Sequence, residues 1–206
     1  MIDNNELKEQ YAVEVNTGVS FGGLFSTLTV FFTGLLISNY ASFPIQVRVP
    51  LLFLIISTFG FIYMTLIYAN ASGKLTTKEI GNCGKAIETA DILGEFMGVY
   101  ALLISIPLVI PIVTDDKFLV GAVLIADVVG MFVYHMSGYS IIQKYYPKNH
   151  LIIMTIMVML MISILVLLKS DYQGYLLSLV TVTIMFLIMV TIQTINKLSK
   201  LSSGKD

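Results

Sequence analysis

Charge is what this sequence has least of. Asp, Glu, Lys and Arg make up only 12% of the chain, about half the share of an ordinary soluble domain. The formal net charge is -1, so no basic patch tracks a phosphate backbone, and nucleic acid is not an expected partner. Cysteine is almost absent: Cys83 stands alone, which excludes an intramolecular disulfide and any thiolate metal site. Histidine occurs only at His135 and His150, which argues against a bis-His haem or a His-rich metal site. The sequence has no HExxH, no Walker lysine loop and no Gly-x-Ser-x-Gly elbow. No metal or cofactor is expected, and an intramembrane enzyme is the weakest class. The start is not basic either. Residues 1–17 carry Asp3, Glu6, Glu9 and Glu14 against the single Lys8, which is not the pattern of a signal peptide.

Apolar residues fill the chain instead. They are 56% of it, and the mean hydropathy is +0.86. About 20 mainly apolar residues in helical form cross a bilayer core. Six stretches meet that length, at roughly 18–39, 49–70, 93–113, 117–138, 150–168 and 173–195. In lipid every backbone polar group must be satisfied within the structure, and the short alternating strands of a barrel are missing, so these stretches are helices. The expected fold class is all-α, a polytopic membrane bundle of six transmembrane helices, with residues 1–17 and 196–206 as tails. Spans one to three and four to six do not align as an internal repeat.

Six spans place both tails, the 71–92 loop and the 139–149 loop on one side. That side holds nine Lys: Lys8, Lys74, Lys78, Lys85, Lys144, Lys148, Lys197, Lys200 and Lys205. The other side holds three basic residues, Arg48, Lys117 and Lys169. The positive-inside rule then makes both termini cytoplasmic, in a cell membrane. Tyr40, Tyr68, Tyr139, Tyr145, Tyr146, Tyr172 and Tyr175 lie near predicted span ends, as an aromatic interface belt requires. The 71–92 loop is expected to hold a short helix capped by Thr76 or Thr77, with Glu79 in its first turn. Glu88, Asp91 and Glu95 then share a face leading into span three. That stripe reads either as a solvated face or as a cation-attracting vestibule.

Small residues recur every four positions in span one (Gly18, Gly22, Ser26), span three (Gly94, Gly98) and span four (Ala122, Ala126, Gly130). This points to those three as the packed centre. Spans five and six, rich in Leu, Ile, Met and Val, read as lipid-facing. Pro107 and Pro111 remove backbone donors from span three and free the carbonyls of Leu103 and Pro107, which predicts a kink.

Asp127 is the charge at midplane depth. It lies ten positions past Lys117, about 15 Å deep by helical rise. An acid there costs about 2.5–3.5 kcal/mol on insertion scales and must face protein or water. Thr29, Ser57, Thr58, Thr181, Thr183 and the Leu103 carbonyl are its expected neighbours. Met131 and His135 share its face at spacings of four, and Glu95 lies at the depth of His135. In one reading Asp127 is an interhelical tie. In the other, Asp127, Glu95, His135 and Thr29 mark a proton or cation path from the cytoplasm to midplane. The function expected on the second reading is a small cation or proton-coupled transporter or channel. The alternative is a non-catalytic scaffold or accessory subunit of a larger membrane complex. Expected partners are the bilayer, a small cation or proton and, in a homo-oligomer, further copies of the chain.

Overall fold

The computed structural model describes residues 4–76, 80–138, 140–170 and 173–203. Its elements are α1 (Asn4–Ser38), α2 (Arg48–Thr76), α3 (Ile80–Leu93), a π-helical segment Gly94–Tyr100, α4 (Ala101–Val113), α5 (Lys117–Met136), a five-residue α6 (Ile141–Tyr145), α7 (His150–Leu168) and α8 (Gln173–Ser203). Six helical stretches are long and apolar enough to cross a membrane: Glu6–Ser38, Ile45–Leu75, Asn82–Val113, Lys117–Met136, His150–Leu168 and Gly174–Leu201. The architecture is the all-α bundle that the apolar runs require.

The helices run further than the apolar stretches. Helix α1 takes in the acidic segment before residue 18, because nothing in it breaks a helix, and Val15 anchors it in a core with Met64, Tyr68 and Ile87. The 71–92 segment does hold the expected helix, but little loop: α2 continues to Thr76, and α3 begins at Ile80 and leads without a break into span three. Thr76 ends α2 rather than capping α3, and Thr77 and Glu79 lie outside the described residues. Pro107 and Pro111 both sit inside α4, so the helix continues through them. At the other end of the bundle, the Asp116 carboxylate accepts from Phe118 N at 2.9 Å and Leu119 N at 3.2 Å and caps α5.

Packing follows the small-residue reading in spans one and three, where a Cβ on Gly18, Gly22, Gly94 or Gly98 would meet a neighbour at 2.8 Å or less, and departs from it in span four. The tight contacts are of α1 on α2 and of α2 on the π segment. A Cβ on Gly60 would lie 2.4 Å from the Met97 carbonyl carbon, and one on Gly22 would lie 2.4 Å from Thr65 Oγ1. Gly130 of α5 has open space around it, so small residues in span four do not mark a close crossing. Helix α7 contributes Met154, Met157, Met161 and Ile164 to the main core. Flexible Met side chains fill irregular gaps there, which is why a sequence that reads as lipid-facing is buried on one side. Tyr68 and Tyr145 are buried too, whereas Tyr40 and Tyr175 are exposed as interface residues would be. Tyr139 and Tyr172 lie outside the described residues.

Candidate functional site

Polar side chains converge where span three enters the bundle. The sequence Gly94–Tyr100 winds as a π-helix, a form that is rare and concentrates at functional sites. Two glycines let it press against α2, and Ser57 of α2 donates to the Gly98 carbonyl at 2.8 Å. The π winding widens the turn and directs Glu95 toward the segment that follows α5. That segment reverses at Gly138, whose φ of +83° is natural only for glycine just past a helix end. The reversal returns Ser140 to the end of α5 and starts α6 immediately after it.

Glu95 is only 4% exposed and fully engaged. Its Oε1 accepts from Ser140 Oγ at 2.8 Å and Ile142 N at 3.3 Å, and its Oε2 from Ile141 N at 2.8 Å and Tyr134 Oη at 3.1 Å. A buried carboxylate is tolerated when donors replace its water. Here two backbone N–H groups and two hydroxyls do so. His135, fully buried, places Nδ1 3.2 Å from the same Ser140 hydroxyl and Nε2 2.8 Å from His150 Nδ1. The two rings meet edge to edge along this contact, with centroids 5.1 Å apart and planes inclined by 29°.

The neighbouring acids are also held. Tyr68 donates to Asp91, and Tyr145 donates to Glu88. Lys144 Nζ pairs with Glu88 at 3.0 Å. Burial, reinforced by the Glu88 carboxylate, pushes the Tyr145 hydroxyl up, so it stays a donor. Lys197 of α8 donates to the Tyr145 carbonyl at 3.2 Å and lies over the Tyr146 ring, 3.5 Å from its centroid. The short α6 is therefore pinned at its start by Glu95, along its length by Glu88 and at its end by Lys197. The Glu88–Asp91–Glu95 stripe is thus not a freely solvated face.

A cavity of about 500 Å³ opens beside this network. Glu14 and Thr17 of α1, Tyr68 of α2, Asp91 and Glu95 of span three and Tyr134 of α5 supply its polar lining, and Phe21, Met64 and Val99 supply apolar wall. Among the described residues, no Lys or Arg lines it.

The four residues singled out from the sequence thus separate into two groups. Glu95 and His135 are brought together through Ser140. Asp127 shares a buried face with Met131 and His135, as its spacing requires. It lies about 12 Å along α5 from His135 by helical rise and does not line the cavity. Its Oδ2 is buried without a hydrogen-bond partner among the described residues. The hydroxyls expected around it are satisfied locally: Thr29 donates to Phe25 O, Thr58 to Leu54 O, Thr181 to Leu177 O and Thr183 to Leu179 O. Thr29 faces a second, apolar cavity of about 540 Å³ with Leu36, Leu54 and Val109, far in character from the acidic one. Two participants were not singled out, Ser140 and His150. The available signal was the Gly138–Ser140 turn, because a Ser two residues after a helix-ending glycine is placed to start the next helix.

The fold defines a multi-pass integral membrane protein. Compared with protein-family models, curated proteins and solved structures, the chain matches none.

Proposed function

We propose that this membrane protein is a transporter for a small cationic solute, with the cavity between Glu14, Asp91 and Glu95 as its binding site. The observation that carries the proposal is the chemistry of that lining. Three carboxylates border about 500 Å³ of space with no lysine or arginine among the described lining residues, and aromatic, methionine and aliphatic side chains form most of the remaining wall. Acids in a low-dielectric cleft raise the local concentration of cations, and ring faces attract them further. The space exceeds what a bare ion needs, so the favoured solute is a compact organic cation. Glu14, exposed at the mouth, receives it, and Asp91 and Glu95 hold it deeper. Asp127 lies further along the bundle on α5 as a fourth acid on the way across.

The test is binding of ethidium, a fluorescent apolar cation, to the purified chain, followed by its accumulation in proteoliposomes under a pH gradient. Saturable binding is expected, weakened about tenfold or more in Asp91→Asn, with uptake lost in parallel. Absence of binding to the wild-type chain, or binding unchanged by both Asp91→Asn and Glu14→Gln, overturns the assignment.

A further inference from the structure

The hydrogen bonds around Glu95 have a polarity that can be worked out atom by atom. We infer that Glu95, Ser140, His135 and His150 form a proton relay joining the acidic cavity to the end of the bundle where α7 begins. The inference rests on the transport reading for its purpose and on bond geometry for its existence.

An ionised Glu95 has no proton to give, so the 2.8 Å contact with Ser140 is made by the serine hydroxyl donating. A hydroxyl has one proton. With that proton committed to Glu95, Ser140 Oγ must accept in its 3.2 Å contact with His135 Nδ1. His135 therefore carries its proton on Nδ1. In a neutral imidazole that makes Nε2 an acceptor, and the 2.8 Å contact to His150 Nδ1 is donated by His150. His150, also neutral, is left with an accepting Nε2. It is the first residue of α7 and is partly exposed, which makes it the entry. One tautomer assignment satisfies the whole chain, and every bond in it points toward Glu95.

Such a chain moves one proton without moving an atom heavier than hydrogen. A proton from water binds His150 Nε2. The Nδ1 proton of His150 passes to His135 Nε2, the Nδ1 proton of His135 to Ser140 Oγ, and the hydroxyl proton of Ser140 to Glu95 Oε1. Afterwards Glu95 is a neutral acid, both histidines are again neutral in the opposite tautomer, and each bond donates the other way. One proton enters, one negative charge disappears, and nothing is left over. Reversing the sequence discharges Glu95. A cation arriving in the cavity favours the charged form of Glu95, so its arrival expels a proton through the relay, giving exchange of cation for proton.

The other titratable groups around the relay are named by their elements. Tyr134 of α5 donates to Glu95 Oε2, off the relay, and the Tyr100 hydroxyl of the π segment lies beside Glu95 and Ser140. Across the cavity stand Glu14 of α1 and Tyr68 of α2, the latter bonded to Asp91. His150 of α7 is the titratable neighbour of His135, through the 2.8 Å contact of the relay itself. Lys144 of α6 and Lys197 of α8 are directed at Glu88 and the Tyr145 carbonyl.

The test is time-resolved infrared spectroscopy of the full chain in lipid nanodiscs after a pH jump, with no cation ligand present. Glu95 is identified by the protonated-carboxyl band that vanishes in Glu95→Gln. In Ser140→Ala and His150→Gln that band is expected to rise at least tenfold more slowly than in wild type, with its final amplitude retained. Tyr146→Phe, which removes a hydroxyl bonded to Thr194 and lies outside both the relay and the cavity, is expected to keep the wild-type rate. If Ser140→Ala does not fold, the partly exposed His150→Gln carries the test. Unchanged rates in the folded relay variants, equal slowing in Tyr146→Phe, or no Glu95 band at any pH down to the ordinary Glu value of about 4.3, overturns the relay. Failure here leaves ethidium binding untouched, and failure of ethidium binding leaves the relay rates untouched, so the two readings fall separately.

Discussion

Glu95 and Asp127 are both acids buried in apolar helices, and their neighbours treat them differently. Glu95 receives four hydrogen bonds. Glu95→Gln turns one acceptor into a donor facing donors, and hydrogen bonds to a charged group contribute about 1.5–3 kcal/mol each. We predict that it lowers stability by about 2–3 kcal/mol, read as an earlier thermal unfolding transition in detergent. Asp127 is 7% exposed and makes no hydrogen bond among the described residues. Asp127→Asn is therefore expected to leave the unfolding transition in place. The sequence alone suggests that Asp127→Leu is worse than Asn, through partners left unpaired. With no hydroxyl bonded to it among the described residues, the expectation reverses: Leu removes an insertion cost of about 2.5–3.5 kcal/mol and stabilises the bundle. On the proposed transport reading, Asp127→Leu should therefore unfold later yet lose cation uptake. An earlier transition for Asp127→Leu would show that Asp127 is a structural tie. At this scale the sequence revealed the helical face shared by Asp127, Met131 and His135, because it follows from counting along a rigid helix. It did not reveal partners. Thr29 and Thr183 bond to their own helices, a choice set by side-chain rotamer rather than by position.

At the scale of helices, the crossing of α2 on the π segment is the contact with least room. A Cβ on Gly60 meets the Met97 carbonyl carbon at 2.4 Å and the Gly98 nitrogen at 2.5 Å. Both are backbone atoms and cannot rotate away. Gly60→Ala is predicted to cost about 3 kcal/mol, the upper range for overpacking, while Gly130→Ala in α5, with open space around it, should stay within about 0.5 kcal/mol of wild type. Thermal unfolding of the two variants side by side checks the contrast. Gly94→Ala is a milder case, because the atom it meets is the Met64 sulfur, the movable part of a flexible side chain. Six spans were legible because crossing a bilayer imposes a length and a composition that no other demand imitates. The close packing of spans one and three was legible in their small residues, but that of α2 was not. Gly60 stands alone in α2 without a repeat every four residues, yet a Cβ there meets backbone at 2.4 Å, whereas the regular small-residue pattern of span four faces open space. The π turn was invisible for a related reason: one additional residue per turn leaves the apolar composition unchanged.

For the whole molecule, the placement of polar networks and the charge bias bear on the same axis. The Glu95 relay, the Glu88–Lys144 pair and the Lys197 contacts gather at the end defined by residues 71–92, 139–149 and the start of the C-terminal tail. Arg48, Lys117 and Lys169 mark the opposite end, where Lys169 pairs with Asp115 at 3.0 Å. With nine basic residues on the relay side and three on the other, the positive-inside rule predicts that the relay end faces the cytoplasm. The native thiol is a poor reporter of that orientation, since Cys83 is buried and its Sγ donates to the Ala71 carbonyl at 3.7 Å. A maleimide reaches it from neither side. Two exposed, uncharged positions serve instead: Ser42 between α1 and α2, and Asn149 just before α7. Neither substitution alters the count of basic residues that sets the topology. In a Cys83→Ala background, Ser42→Cys is predicted to react with a membrane-impermeant maleimide on intact cells, and Asn149→Cys only after permeabilisation. The opposite pattern places the acidic cavity and His150 outside the cell. The relay would then take its protons from the external medium, and cation exchange would be driven in the reverse sense by the same gradient. The labelling pattern therefore fixes the direction in which a proton gradient does work on the cation, as well as the topology.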